Sequence, residues 1–178
     1  LGVPADYADA ARALGIRTVA ITDHTPIPGG YHGAVRMRSD EIDDYRGMVF
    51  DAREREIRLS EDPDSDGGPV EILYGIESDI VPDEAVMQGV RKVLDSESFD
   101  FVLGSLHFHA FEYYEWESRS GLDTDPERIR AYYRLMADAA GWRIFDAFAH
   151  PDLIALMPED NHVDPEDYRD AIRSFLEA

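Results

Sequence analysis

Residues 18–24 read Thr-Val-Ala-Ile-Thr-Asp-His, a short run of β-branched and apolar residues that ends in two polar ones. A strand of a parallel sheet that is buried on both faces gives such a run, and ligands of α/β folds gather at the carboxyl ends of the strands. We therefore predict a strand over residues 17–22, with His24 where the chain leaves the sheet. Three later segments repeat the arrangement: residues 70–76 precede Glu77, residues 99–106 precede His107, and residues 144–149 precede His150.

Five predicted helices alternate with these four strands. Apolar spacing and capping residues place them from Pro4 to Gly15, over 40–59 behind a cap at Ser39 or Asp40, from Pro82 to about Leu94, over 125–140, and from Pro165 onwards. The order αβαβαβαβα predicts an α/β fold with a parallel sheet and helical crossovers. A closed (β/α) barrel usually takes roughly 250 residues. We therefore expect residues 1–178 to form a single domain that is part of such a barrel, truncated at both ends.

The composition narrows the possible function classes. The formal net charge of −21 argues against a nucleic-acid partner, because phosphate backbones require a basic face. The sequence contains no Cys, which excludes disulfides, thiolate catalysis and Cys-based zinc sites. There is no signal-peptide pattern and no apolar run long enough to span a bilayer, so we expect a soluble, cytoplasmic protein with no membrane contact. The acidic surface fits either a salt-rich cell or an arginine-rich coding bias, since Lys92 is the only lysine.

The four residues His24, Glu77, His107 and His150 are called the His/Glu group below. Imidazole and carboxylate are ligands of zinc, iron and manganese. A single His at the end of a buried strand is more often a hydrogen-bonded structural residue. Four ligand-type residues at four successive strand ends are harder to attribute to composition, because the sequence has only six His. The intervals between them are long enough for crossover helices, which would bring all four to the same rim of the sheet. We therefore predict a metal site at that rim.

Other polar residues lie close to the His/Glu group in the sequence. Asp23 and Asp152 flank candidate ligands and suit a supporting or weakly ligating role. Asp79 and Asp83 are predicted to cap the helix that follows Glu77. His109 lies two residues beyond His107 and suits a second ligand, a substrate contact or a stacking partner.

Four ordered motifs carry a resemblance to a known family. They are Ile21-Thr22-Asp23-His24, Gly75-Ile76-Glu77, Gly104-Ser105-Leu106-His107-Phe108 and Ala149-His150-Pro151-Asp152-Leu153-Ile154. These segments resemble motifs of the PHP (polymerase and histidinol phosphatase) superfamily. Residues 36–41 and the loop after His107 are similar to the branch of PHP-type histidinol-phosphate phosphatases.

The resemblance implies a distorted seven-stranded (β/α) barrel, of which about four strands are present, and a centre of up to three divalent metal ions (Zn, Fe or Mn). It also implies that the His/Glu group ligates those metals. Two elements of the family pattern, a His-x-His that ends the opening strand and a late Asp-x-His, are absent from residues 1–178. We therefore expect the chain to be a portion of a longer enzyme and to bind metals incompletely.

The function implied by the resemblance is hydrolysis of a phosphate monoester by metal-activated water. Histidinol phosphate, converted to histidinol and phosphate in histidine biosynthesis, is the expected small-molecule substrate. Asp23 or Asp152 would steer the proton, while Arg36, His109 and Arg119 would contact the substrate. No Gly-x-Ser-x-Gly elbow, P-loop or Gly-x-Gly-x-x-Gly fingerprint supports a serine hydrolase, kinase or dinucleotide enzyme.

Three alternatives remain open at this stage. One is a PHP phosphoesterase that acts on a nucleotide or another small phosphate. Another is the PHP domain of a bacterial DNA polymerase, which the acidity of the chain disfavours. The third is a non-catalytic scaffold domain that retains part of the site. The sequence assigns no oligomeric state.

Overall fold

The computed structural model describes residues 2–27, 36–62, 68–107, 126–153 and 164–178. In these ranges helices and strands alternate in the order α1 (Pro4–Ala13), β1 (Thr18–Ile21), α2 (Ile42–Glu61), β2 (Glu71–Asp79), α3 (Glu84–Ser96), β3 (Phe101–Ser105), α4 (Pro126–Ala140), β4 (Ala147–Phe148) and α5 (Arg169–Leu176). Short 3₁₀ turns at Ser39–Glu41 and Pro165–Tyr168 lead into α2 and α5. The predicted α/β class and the alternating order of elements are confirmed. None of the helices in these ranges is long and apolar enough to cross a membrane.

The strands form one parallel sheet in the order β1-β2-β3-β4. They are staggered: Glu71–Tyr74 of β2 pairs with β1, whereas Gly75–Asp79 pairs with β3. A progressive stagger of this kind is how tilted parallel strands curve into a barrel. The four strands are consistent with the predicted incomplete barrel.

Helices pack against one face of the sheet, and the opposite face is left for the candidate site. Ile72, Tyr74 and Ile76 are buried in one apolar cluster with residues of α1 and α2. At the other end of the sheet, Leu106 packs in a cluster with residues of α4 and α5. Because side chains alternate along a strand, Glu77 points to the face opposite Ile76. The helices therefore cover one face, and the other face carries the candidate site.

Local capping explains several of the helix ends. Asp83 caps α3 as predicted, because its carboxylate accepts hydrogen bonds from the backbone N–H groups of the next turn at 2.9 and 3.0 Å. The predicted cap at Ser39 or Asp40 is wrong, since both residues lie inside the 3₁₀ turn that precedes α2. Arg38 is the N-cap of that turn, and its N–H donates to the Glu41 carboxylate at 2.7 Å, while Glu41 occupies the N-cap position of α2. Glu41 reaches back one turn, which removes the need for a short polar cap.

Two of the strands, β2 and β4, differ most from the prediction. β2 was expected to end before Glu77, but it continues to Asp79, so the predicted role of Asp79 as a helix cap is wrong. A strand can include buried carboxylates when their hydrogen bonds are satisfied, and the partners of Asp79 are described below. β4 is shorter than expected, at Ala147–Phe148, because Ile144 instead packs in the apolar cluster around α3.

Candidate metal centre

Backbone pairing fixes the relative positions of His24 and Glu77. The two residues form a parallel bridge beyond the end of β1. The Thr25 N–H donates to the Glu77 carbonyl, and the Glu77 N–H donates to the Asp23 carbonyl, both at 2.9 Å. The register of β1 and β2 therefore holds the His24 and Glu77 side chains at the same level of the sheet.

One oxygen of Glu77 lies at the middle of the His/Glu group. Glu77 Oε1 is 3.7 Å from His24 Nδ1, 3.6 Å from His107 Nε2 and 3.3 Å from His150 Nε2. The ring centroids of His24 and His107 lie 5.1 Å apart, and those of His107 and His150 lie 4.9 Å apart. The structure thus brings together all four residues that the sequence predicted as ligands.

These distances suit a shared cation. Ligand atoms about 2.0–2.1 Å from one metal in tetrahedral geometry are about 3.3 Å from each other. His24, Glu77 and His107 each offer a ligand atom within 4.8 Å of the other two. In addition, His24 Nδ1, the atom 3.7 Å from Glu77 Oε1, is buried without a hydrogen-bond partner. A buried unpaired nitrogen atom is costly, and a metal ion beside Glu77 would satisfy it.

Asp79 lies directly behind His107, and it forms hydrogen bonds with both His107 and Arg36. The Asp79 side chain is 0% exposed and accepts hydrogen bonds from His107 Nδ1 and from both terminal nitrogens of Arg36. Burial opposes ionisation of this carboxyl, but the bonds from His107 and Arg36 outweigh it and lower the pKa of Asp79. An ionised Asp79 can only accept, so Nδ1 of His107 carries the proton. Nε2 then presents a lone pair towards Glu77, and two acceptors facing each other at 3.6 Å favour a cation between them.

His24 is held in the form that binds metals. Burial lowers the pKa of His24, and the nearby His107 and Arg36 add to this effect, whereas Glu77 and Asp79 oppose it. The neutral imidazole is the ligating form, so a lowered pKa reduces competition from protons.

His150 has a backbone conformation that few non-glycine residues adopt. Its φ angle is 29°, and its carbonyl accepts a hydrogen bond from the Leu153 N–H at 3.0 Å. Left-handed conformations of this kind cost of order 1–3 kcal/mol and concentrate at functional sites. The turn after β4 aims the His150 ring at Glu77.

The other predicted site residues have different positions. Asp23 is exposed, and its carboxylate accepts a hydrogen bond from the His24 N–H at 2.8 Å. Asp152 is exposed, and its charge adds to burial in raising the pKa of Tyr132. Arg36 is linked to the His/Glu group indirectly, because it pairs with Asp79, which in turn contacts His107. His109 and Arg119 lie outside the described residues.

Asp79 is the site residue that sequence reasoning missed. It follows Glu77 by two positions, and residues at i and i+2 of a strand share a face. That spacing would have placed it beside His107 if β2 had been predicted to continue past Glu77. A polar residue shortly before a helix favoured the role of a helix cap instead. The partners that stabilise Asp79 inside the strand, Arg36 and His107, come from distant parts of the sequence.

Comparisons with known proteins show which proteins the chain is similar to. The family model described as PHP domain matches residues 2–178. A protein from Deinococcus radiodurans named probable histidinol-phosphatase is 29% identical over 174 residues, which make up 93% of this chain and 59% of that protein. The chain therefore spans about three fifths of the length of this curated relative.

Two solved structures share the fold. The histidinol phosphate phosphatase of Lactococcus lactis, solved with zinc, L-histidinol and phosphate, superposes with a TM-score of 0.65 at 22% identity, over 94% of this chain and 59% of that one. A Listeria monocytogenes protein assigned as a histidinol phosphatase gives a TM-score of 0.68 at 13% identity, over 94% of this chain and 67% of that one. At these identities the likeness establishes the fold.

Proposed function

Because this chain belongs to the PHP domain family, we propose that it provides the metal-binding part of a phosphatase that hydrolyses histidinol phosphate to histidinol and phosphate. The main support for this proposal is the position of Glu77 Oε1, which lies 3.3 to 3.7 Å from a nitrogen atom of each of three histidines. Two findings support the choice of substrate: the relative named probable histidinol-phosphatase and the L. lactis structure that contains histidinol and phosphate. In this proposal residues 1–178 act as one domain.

The His/Glu group would hold the divalent ions, up to three of them in the complete site, as Zn, Fe or Mn. When bound, such ions lower the pKa of a coordinated water and neutralise phosphate oxygens. The chain has a formal net charge of −21, so an anionic ester needs local positive charge to approach the rim. No protein nucleophile is required, which agrees with the absence of Cys and of a serine motif.

Side chains near the rim would orient the substrate and move the proton. Asp23 is exposed and tied to the backbone of His24 by its hydrogen bond, so it can accept a proton from a water beside that ligand. Asp152 is the other exposed carboxylate, two residues after His150. Arg36, His109 and Arg119 are proposed to contact the substrate, Arg36 while it remains paired with Asp79.

The test is release of phosphate by the purified natural protein that contains residues 1–178, after loading with Zn, Mn or Fe. The panel contains histidinol phosphate, a nucleoside monophosphate and a sugar phosphate. We expect histidinol phosphate to be hydrolysed fastest. Glu77→Gln should abolish phosphate release. The control Glu84→Gln, which changes an exposed carboxylate in α3, should leave release unchanged. Faster hydrolysis of another ester would refute the histidinol assignment. Metal binding without hydrolysis of any ester would support a scaffold.

A further inference from the structure

Arg36, Asp79 and His107 form a chain of hydrogen bonds that ends at the candidate metal centre. Asp79 Oδ1 accepts from Arg36 and from His107 Nδ1, at 2.8 Å each, and the other Asp79 oxygen accepts a second bond from Arg36. The Ser105 hydroxyl lies 3.3 Å from the same His107 nitrogen. The Arg36 side chain is only 6% exposed, so this pairing takes place largely away from solvent.

The direction of each hydrogen bond follows from the chemistry of the groups. A guanidinium can only donate, and its two parallel bonds match an ionised carboxylate. Asp79 therefore accepts from both neighbours, and His107 must donate through Nδ1. The lone pair of His107 is left on Nε2, the atom that lies 3.6 Å from Glu77 Oε1. Metal-ligating histidines commonly have such a partner, which fixes both the tautomer and the ring orientation.

We propose that Asp79, held in place by Arg36, is a positioning residue that keeps His107 in the Nδ1–H tautomer and aims Nε2 at the metal. This inference rests on the proposed metal centre. It assigns a role to a residue that touches neither metal nor substrate. Asp79 acts only through His107, so its contribution should disappear when His107 is removed.

Asparagine at position 79 should weaken the hold on His107. The Asp79 carboxylate accepts three hydrogen bonds through its two oxygens, two from Arg36 and one from His107. An amide offers a single acceptor oxygen, so its NH₂ group must face a donor N–H of Arg36, and the negative charge that favours Nδ1–H on His107 is lost. We expect Asp79→Asn to weaken zinc binding by about 10- to 100-fold, the usual loss when the partner of a ligating histidine is changed.

The experiment is a double-mutant cycle on the 178-residue chain, with zinc affinity measured by competition against a chelating dye. Asp79→Asn should weaken binding in the wild type and have almost no effect in the His107→Ala background. The matched control is Glu56→Gln, which changes another buried carboxylate, 3% exposed and paired with Arg12 away from the centre. It should leave the zinc affinity within about threefold, as expected for a site that it does not touch. An equal loss in both backgrounds, or the same loss in Glu56→Gln, would overturn the proposal.

A second measurement does not depend on the folding of any Asp79 variant. Nitrogen-15 NMR of the metal-free wild-type chain, with the His107 signals assigned by comparison with His107→Ala, should show the Nδ1–H tautomer. Signals of the Nε2–H tautomer would refute the inference. If Glu77→Gln leaves zinc binding intact, the proposed metal centre itself is wrong. If Glu77→Gln abolishes binding and Asp79→Asn does not weaken it, only the positioning role fails.

Discussion

Replacing Gly75 by alanine tests how closely β1 and β2 approach each other beneath the metal centre. A Cβ atom at Gly75 would lie 2.8 Å from the Ile21 carbonyl oxygen and from Cγ2 of Thr22, and 3.1 Å from the Phe101 carbonyl oxygen. Real Cβ atoms essentially never come that close, and ordinary contact begins at 3.4 Å. The strands must therefore separate by about 0.6 Å, the difference between 2.8 and 3.4 Å, to admit one methyl group.

This separation should reach the ligands because Gly75 precedes Glu77 by two residues on the same face. Strand pairing holds His24 beside Glu77, so moving β1 outwards would lengthen the distance from Glu77 Oε1 to His24 Nδ1, now 3.7 Å. Metal sites tolerate displacements of only about 0.5 Å. We expect Gly75→Ala to lower the free energy of unfolding by about 1–3 kcal/mol, the usual cost of overpacking. Zinc affinity should fall by about tenfold or more, because a ligand is displaced.

Urea unfolding and a zinc competition titration measure these two effects. The matched control is Gly47→Ala in α2, where an added Cβ meets no atom within 4 Å. Alanine is the better helix former, so this variant should gain about 0.5–1 kcal/mol of stability and keep its zinc affinity. If Gly75→Ala is as stable as the wild type and binds zinc equally well, the close approach of β1 and β2 and its link to the ligands are refuted.

Two further predictions concern buried tyrosines. The Tyr45 hydroxyl lies 2.7 Å from the carbonyl oxygens of Ile21 and Gly75, so Tyr45→Phe should cost about 0.5–1.5 kcal/mol by removing the hydrogen bond that its O–H donates there; unchanged urea unfolding would contradict this. Burial raises the pKa of Tyr133 to about 12 from an ordinary value of 10.0. The unfolded chain therefore loses that proton first, and stability should fall as the pH rises from 10.0 towards 12. Tyr133→Phe should flatten the fall, and identical pH profiles for the two proteins would show that Tyr133 makes no contribution.

The order of elements and the His/Glu group could be predicted because both depend on local sequence. The apolar run at residues 18–21 does form a strand, although it is half-buried at the edge of the sheet and not buried on both faces as expected, and the ligand-type residue that follows lies at the end of the sheet. Alternation of strands with helices then fixes a parallel order and brings the strand ends to one rim. Glu77 and its three histidines were found in this way.

The parts that were missed depend on contacts between distant residues. Asp79 is stable inside β2 only because Arg36 and His107 reach it from 43 and 28 residues away. The Tyr45 hydroxyl, which comes from α2, links β1 to β2, and the hydrophobic periodicity of the sequence does not reveal such a contact. Such residues have local sequences that favour ordinary caps or core positions, and only the folded chain shows their partners.

Zinc X-ray absorption on the chain loaded with one equivalent of zinc reports directly which kinds of side chain bind the metal. We expect nitrogen and oxygen ligands at about 2.0–2.1 Å and outer-shell scattering from at least two imidazole rings. Glu77→Gln or His24→Ala should change that spectrum, whereas Glu84→Gln, an exposed change in α3, should leave it as it is. A spectrum without imidazole scattering, or one that is identical in wild type and Glu77→Gln, would show that these four residues do not form a metal centre.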